Sequence, residues 1–113
     1  MEMVESTEIR RGEIVLVDLE PTKGREIRKT RPCVVVSPNE LNKHLRTYIV
    51  APMTTGGYSY PFRVECRFKG KSRNIVLDQI RTVDRNRLVR PLGRLPSAVL
   101  EKALSIIQEM FAL

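Results

Sequence analysis

The stretch Glu13-Ile14-Val15-Leu16-Val17-Asp18-Leu19 is the most informative segment for the fold, because it is β-branched and almost continuously apolar. Such a run predicts a strand that is buried on both faces. Pro21 and Gly24 then interrupt the pattern. The charged residues from 25 to 31 lack periodicity, so we expect an exposed loop there.

Further apolar stretches predict strands at 33–36, opened by Arg31-Pro32, and at 48–51, 62–68, 74–77 and 81–83. Residues 62–68 alternate between apolar and polar side chains, which is typical of a half-exposed strand. Between the strands, Ser37-Pro38-Asn39-Glu40 predicts the start of a short helix capped by Ser37.

The last segment predicts a helix. Its apolar residues follow the spacing of one helical face, and Pro96 suits a first turn. These apolar residues are Leu100, Ala103, Leu104, Ile107 and Phe111. Several short strands and one terminal helix favour a mainly β fold, a small curved β-barrel with a packed helix. With 113 residues, we expect one domain at 10–113 behind a short tail at 1–9.

The cysteine and histidine content limits the chemistry available. Cys33 and Cys66 lie in apolar runs and are expected to be buried free thiols. With His44 as the single histidine, they cannot form a zinc site, and we expect neither a metal nor a cofactor. The acidic start of the chain and the lack of a run of roughly 18 apolar residues predict a cytoplasmic protein that does not enter membranes.

The charge of the chain points to a polyanionic partner. The formal net charge is +7 and the isoelectric point is about 9.9. Nine basic residues stand against Asp78 and Asp84 between positions 67 and 94. Such an excess favours binding to nucleic acid, although many basic proteins bind nothing specific.

Three groups of residues resemble one family in order and spacing. The first comprises Arg11-Gly12-Glu13-Ile14, the stretch at 18–24, Glu26 and Arg31-Pro32. The second comprises Val50-Ala51-Pro52-Met53-Thr54-Thr55 and Tyr60-Pro61-Phe62. The third is Leu77-Asp78-Gln79-Ile80-Arg81-Thr82-Val83-Asp84. Together they are similar to the MazF/PemK toxins, from about Arg11 to the terminal helix.

The resemblance implies an SH3-like barrel that forms a homodimer and belongs to a type II toxin–antitoxin system. It implies sequence-specific cleavage of single-stranded RNA without a metal, leaving a 2′,3′-cyclic phosphate and a 5′-hydroxyl. It also implies an acidic MazE-like antitoxin, whose disordered tail would order across the basic groove on binding.

By the same resemblance, Arg31 and Thr54 match the main catalytic pair of the family. Glu26 matches an acid of the first loop that positions the arginine or accepts a proton. Asp78 matches a carboxylate proposed as the base in some members, and an ion pair with Arg81 or Arg85 is the structural alternative. Some members carry a second catalytic arginine two residues before this acid. Val76 stands there in this chain, which favours a mechanism centred on Arg31 and Thr54.

We expect RNA to contact cations of the first loop, side chains that follow Thr54, and two cations of the 67–94 segment. These residues are Lys23, Arg25, Arg28, Lys29, Thr55, Tyr58, Tyr60, Arg81 and Arg85. Solvated loop charges and tyrosines that anchor a loop are the alternatives.

Two other functions are compatible with the sequence. A non-enzymatic RNA-binding barrel would account for the charge but not for the Arg31 and Thr54 match, and it would bind RNA without cutting it. A gyrase poison on the same barrel is disfavoured. Those relatives end in Trp-Gly-Ile, whereas this chain has no tryptophan and ends Phe111-Ala112-Leu113.

Overall fold

A computed structural model describes residues 8–19, 30–55 and 61–113. Within these residues the chain forms seven strands and two α-helices. The strands are β1 Glu13–Asp18, β2 Thr30–Val35, β3 Thr47–Thr55, β4 Arg63–Phe68, β5 Lys71–Val76, β6 Arg81–Asp84 and β7 Leu88–Arg94. The helices are α1 Asn39–His44 and α2 Ser97–Met110, and short 3₁₀ turns lie at Leu77–Gln79 and Arg85–Arg87.

The strands pair antiparallel in the order β4-β5-β3-β2-β1-β7, and β6 also pairs with β3. The long strand β3 is the centre of this sheet, because β6 pairs with its first half and β5 with its second. Met53 lies opposite Ile75, and Val50 lies opposite Arg81. Between these two pairs β3 has two residues, 51 and 52, whereas the segment from β5 to β6 has five, 76–80. The 3₁₀ turn Leu77–Gln79 accommodates the three additional residues.

Strand β1 is buried on both faces, as its sequence predicts. Ile14 packs in a core cluster that includes Ala103 of α2. Val15 and Val17 point to the opposite face and pack in a second cluster with Tyr48. The mainly β fold with a C-terminal helix is therefore confirmed, and its core lies on both sides of the central strands.

Helix α2 covers the first of these clusters. Ala103 is fully buried, and Leu100, Leu104 and Ile107 pack against the cluster as partly buried residues. Phe111 departs from the predicted face, because the helix ends at Met110 and the Phe111 side chain is 69% exposed. Pro96 is the N-cap residue that precedes the helix, with φ −56° and ψ 144°, rather than a residue of its first turn.

Ser37 has a different role from the predicted one. The residue before α1 is Pro38, and no side chain caps the helix. The Ser37 hydroxyl instead donates to Asn42 Oδ1 at 2.6 Å and accepts from the backbone N–H of Ile49 at 3.1 Å. It ties α1 to β3, because a buried hydroxyl requires hydrogen-bond partners.

Several strands differ from the sequence prediction. Strand β3 continues to Thr55 instead of ending at 51, so Thr54 lies in a strand, and β5 begins at Lys71 instead of 74. Strand β2 begins at Thr30, so Arg31 lies in a strand and not in the loop. Its pairing with β1 extends to Asp18 opposite Thr30, which orders these residues. Strand β7 has no predicted counterpart, because Pro91 and Gly93 disfavour a strand and its pairing with β1 contains two register shifts.

Both cysteines are buried free thiols, as predicted. Of the helices that the structure describes, none combines the length and the apolar content that a bilayer crossing requires.

Candidate active site

Arg31 and Thr54 lie on the neighbouring strands β2 and β3. The pairing of β2 with β3 ends at Cys33 opposite Pro52, and Arg31 and Thr54 each lie two residues beyond this pair on their own strand. Side chains two residues apart on a strand share a face, so Arg31 and Thr54 share the face of Cys33 and Pro52. The two residues of the predicted pair therefore lie on the same face of two neighbouring strands.

The same row continues across the sheet. Thr54 is opposite Asn74 of β5, and Asn74 is opposite Glu65 of β4. Directly opposed residues share a face, so a hydroxyl, an amide and a carboxylate stand side by side, on the same face as the Arg31 guanidinium. Asn74 is only 8% exposed, whereas Glu65 is exposed. We refer to Arg31, Thr54, Asn74 and Glu65 as the polar row.

The opposite face of these strands is a packed core. Met53, Ile75 and Val64 alternate with the residues of the polar row and are almost completely buried in the cluster beneath α2. Because this packing leaves the strands little freedom, it holds the polar row on a rigid support.

Two arginines act electrostatically on the Cys33 thiol. Burial raises the pKa of the Cys33 thiol to about 12, and the positive charges of Arg81 and Arg31 act against this increase. Arg81 is opposite Val50 on β6, while Arg31 belongs to β2. Two cations from different strands therefore contribute positive potential at Cys33, on the face that carries Arg31 and Thr54.

Asp78 forms a two-point ion pair with Arg63. Arg63 Nε donates to Asp78 Oδ1 at 3.1 Å, and Arg63 Nη2 donates to Oδ2 at 3.2 Å. These hydrogen bonds hold the pKa of Asp78 below its ordinary value. The alternative of an ion pair with Arg81 or Arg85 is wrong, because the partner comes from β4.

The position of Arg63 bears on the departure at Val76. Arg63 is the cross-strand neighbour of Val76, and Val76 is buried. A guanidinium thus reaches Asp78 from the neighbouring strand, whereas the residue two positions before Asp78 is apolar.

The other predicted site residues either lie apart from the polar row or lie outside the described residues. Thr55 is exposed at the end of β3 opposite Arg73. Arg85 opens the 3₁₀ turn after β6, and its backbone N–H donates to Arg46 O at 2.8 Å, near the start of β3. Seven predicted residues lie outside the described residues: Lys23, Arg25, Glu26, Arg28, Lys29, Tyr58 and Tyr60.

Sequence reasoning did not single out Asn74, Glu65 or Arg63. The alternation of 62–68 already places Arg63 and Glu65 on one face of β4, and Asn74 is a polar residue beside the apolar run Ile75-Val76-Leu77. What the alternation cannot supply is the register that sets these residues beside Thr54. Within 8–19, 30–55 and 61–113, no three His, Cys, Asp or Glu side chains cluster as a metal site would require.

Comparison with known proteins identifies the family. Residues 10–111 match the PemK-like, MazF-like toxins of type II toxin–antitoxin systems, and the chain belongs to this family. It is 40% identical over 90 residues to the endoribonuclease MazF of Staphylococcus epidermidis, covering 74% of this chain and 75% of that protein. It is 36% identical over 104 residues to the endoribonuclease PemK of Escherichia coli, covering 87% of this chain and 78% of that protein.

Solved structures of the family have the same fold. The crystal structure of MazF from Deinococcus radiodurans (Form-I) superposes with a TM-score of 0.79 at 26% identity, covering 95% of this chain and 99% of that one. A crystal structure of MazE–MazF from the same organism (Form-II) gives a TM-score of 0.80 at 26% identity, covering 92% and 96% of the two chains.

Proposed function

We propose that this protein is the endoribonuclease toxin of a type II toxin–antitoxin pair. It cuts single-stranded RNA at short sequences, without a metal, and leaves a 2′,3′-cyclic phosphate and a 5′-hydroxyl. The observation that supports the proposal is that Arg31 and Thr54 lie on the same face of the neighbouring strands β2 and β3, each two residues beyond the Cys33–Pro52 pair. The relatives that are named endoribonucleases support it.

The reaction begins when the ribose 2′-oxygen attacks the adjacent phosphorus. The new P–O bond closes the cyclic phosphate, the bond to the 5′-oxygen breaks, and the 5′-oxygen takes up a proton. In the proposal, Arg31 donates two hydrogen bonds to the non-bridging oxygens, a geometry that matches its planar fork. Thr54 donates a third hydrogen bond to the same phosphate. Donors that are already in position stabilise the developing negative charge without reorganisation.

A carboxylate accepts the proton of the 2′-hydroxyl, and Glu26 is the proposed acceptor. Asp78 suits this role less well, because Arg63 binds both of its oxygens and lowers its pKa. A general base is most effective when its pKa is near the working pH. We therefore propose that Asp78 orients the Arg63 side chain. Arg63 lies opposite Val76, at the edge of the polar row.

The proposal includes two protein partners and a compartment. The toxin acts as a homodimer in the cytoplasm, and an acidic antitoxin covers the basic face until it is removed. The net charge of +7 and the cations around Cys33 suit a disordered acidic tail that orders on binding. The crystal structures of MazE–MazF from Deinococcus radiodurans support a partner of this kind.

The test is a cleavage assay on mixed-sequence RNA in excess EDTA. It compares the wild type with Arg31→Ala, Thr54→Ala and Glu26→Gln. We expect discrete fragments that end in a cyclic phosphate, and a loss of rate on the order of 10²–10³-fold for each of the first two variants, typical of removing a donor to a developing charge. The matched controls are Arg90→Ala and Thr82→Ala, exposed residues of β7 and β6.

Two results would contradict the proposal. One is RNA left intact by folded wild-type protein that is free of antitoxin; if that RNA is nevertheless bound, the non-enzymatic barrel is the better description. The other is cleavage that continues at full rate with the cognate antitoxin in excess. This result would contradict the proposal that the antitoxin covers the basic face.

A further inference from the structure

A polar pocket opens at the outermost described strand of the sheet, β4. It has a volume of about 280 Å³ and is lined by Glu65, Cys66, Arg67 and Ser72. No step of the proposed cleavage uses these residues.

The pocket adjoins the proposed cleavage site. Glu65 is the last residue of the polar row, and Asn74 separates it from Thr54. Neighbouring strands are about 4.7–4.9 Å apart, so Glu65 lies about 10 Å from Thr54 across the sheet. Arg67 and Ser72 are directly opposite each other one step further along the same face. A nucleotide next to a phosphate held by Arg31 and Thr54 is within reach of the pocket.

The pocket presents hydrogen-bonding groups of opposite kinds. The Glu65 carboxylate only accepts, the Arg67 guanidinium only donates, and the Ser72 hydroxyl does both. Among the residues that the structure describes, none forms an ion pair or a hydrogen bond with the Glu65 carboxylate. A polar cleft with both a carboxylate and a guanidinium is suited to a ligand with donors and acceptors on adjacent edges.

The Arg67 side chain is held in place by the β4–β5 turn. Its Nη2 donates to Gly70 O at 2.8 Å. Lys69 and Gly70 have φ angles of 54° and 76°, the left-handed conformations of a tight two-residue hairpin turn. The guanidinium has five N–H groups, so this bond leaves donors for a ligand. Arg67 is therefore oriented before any ligand arrives, which lowers the entropic cost of binding.

Among the nucleobases, guanine matches this pair of side chains on two edges. Its N1–H and N2–H groups are adjacent donors for a carboxylate, and its O6 and N7 atoms are adjacent acceptors for a guanidinium. Adenine and cytosine each offer a carboxylate a single amino group, and uracil offers one N–H. Sequence-specific proteins read single-stranded RNA through such base edges.

We propose that this pocket binds a guanine base of the RNA substrate, next to the phosphate that is cleaved. The inference rests on the proposed ribonuclease function and specifies its substrate. Glu65 and Arg67 determine sequence preference, while Arg31 and Thr54 act on the phosphate.

The test uses short RNA substrates with one cleavage site, in which each flanking guanine is replaced singly by inosine or by 7-deazaguanine. Inosine lacks the N2 amino group, and 7-deazaguanine lacks the N7 acceptor. At one flanking position we expect each replacement to lower kcat/KM of the wild type on the order of tenfold to a hundredfold, as for the loss of a good base contact.

The variants Glu65→Ala and Arg67→Ala assign each effect to a side chain. Glu65→Ala should cut guanine and inosine substrates at equal rates yet still respond to 7-deazaguanine. Arg67→Ala should show the reverse pattern. Glu101→Ala and Lys102→Ala remove the same charges from exposed positions of α2 and should keep the wild-type responses.

The outcomes separate the two proposals. A wild type that cuts RNA but treats guanine, inosine and 7-deazaguanine alike at every flanking position overturns the pocket assignment and leaves the ribonuclease intact. Variants that keep both wild-type responses also overturn it. A wild type that cuts no RNA overturns the ribonuclease proposal, and the guanine pocket with it.

Discussion

The two faces of strands β3, β5 and β4 have opposite compositions. On one face Met53, Ile75 and Val64 are packed beneath α2 and almost completely buried. On the other face Thr54, Asn74 and Glu65 form most of the polar row. Because side chains alternate along a strand, adjacent residues lie on opposite faces and have different roles. Changes on the apolar face should affect stability, whereas changes on the polar face should affect RNA cleavage.

The largest effect is expected from Ile75→Ala on the apolar face. Ile75 is fully buried, and such truncations cost about 2–5 kcal/mol through lost burial and the cavity left behind. Urea unfolding measures the loss. Thr54→Ala, one strand away on the polar face, should lower the free energy of unfolding by less than about 1 kcal/mol, as partly exposed substitutions do. Equal destabilisation by the two variants would contradict the assignment of stability to the apolar face and of RNA cleavage to the polar face.

The second effect concerns pH and the buried thiol of Cys33. Its folded-state pKa is about 12 against an ordinary value of 9.0. Below pH 9 the thiol is protonated in both states, so its contribution is complete there. As the pH rises above 9, the unfolded chain loses the proton first and stability falls. We expect a loss of about 1 kcal/mol at pH 10.

Unfolding of the wild type and of Cys33→Ala at pH 8 and pH 10 measures this contribution. We expect the variant to be less stable at both pH values, but its stability should change less between them. A parallel decline in the two proteins would show that groups other than Cys33 cause the loss.

The third effect distinguishes the two possible roles of Asp78. Its side chain is 42% exposed, so Asp78→Asn should cost only about 0.2–1 kcal/mol of stability. Because Arg63 lowers the pKa of Asp78, this contribution is present above the ordinary carboxylate pKa and is lost as the pH falls through the lowered value. With Asp78 holding Arg63, we expect the cleavage rate to fall less than about tenfold. A loss in the 10²–10⁴-fold range of general-base catalysis would make Asp78 the proton acceptor.

The smallest effect is expected from Phe111→Ser. The side chain is 69% exposed beyond the end of α2, and exposed substitutions usually change stability by less than about 0.5 kcal/mol. Leu104→Ala, on the packed face of the same helix, is the comparison and should cost distinctly more. Thermal unfolding of the two variants at equal protein concentration decides the point. A larger loss for Phe111→Ser would mean that this residue is covered by another molecule.

Part of the candidate site could be found from the residues alone. The motif that contains Thr54 and the Arg31-Pro32 pair indicate the proposed catalytic positions through resemblance to a family. The alternation of 62–68 predicts the exposed face of β4 and thus the side on which Glu65 and Arg67 lie. The ion pair of Asp78 was not predictable in this way, because Arg63 is 15 residues away in the chain and is brought close by strand pairing.

The sequence by itself determined the elements whose pattern is local. The apolar run of β1, the alternation of β4 and the helical spacing of α2 each reflect a side-chain period that a few consecutive residues express. The tertiary structure decided the rest: the strand β7 despite Pro91 and Gly93, the position of Arg31 within a strand, and the polar row itself. These depend on which strands pair and in which register. Pairing is a non-local balance of burial and hydrogen bonding that no single segment encodes.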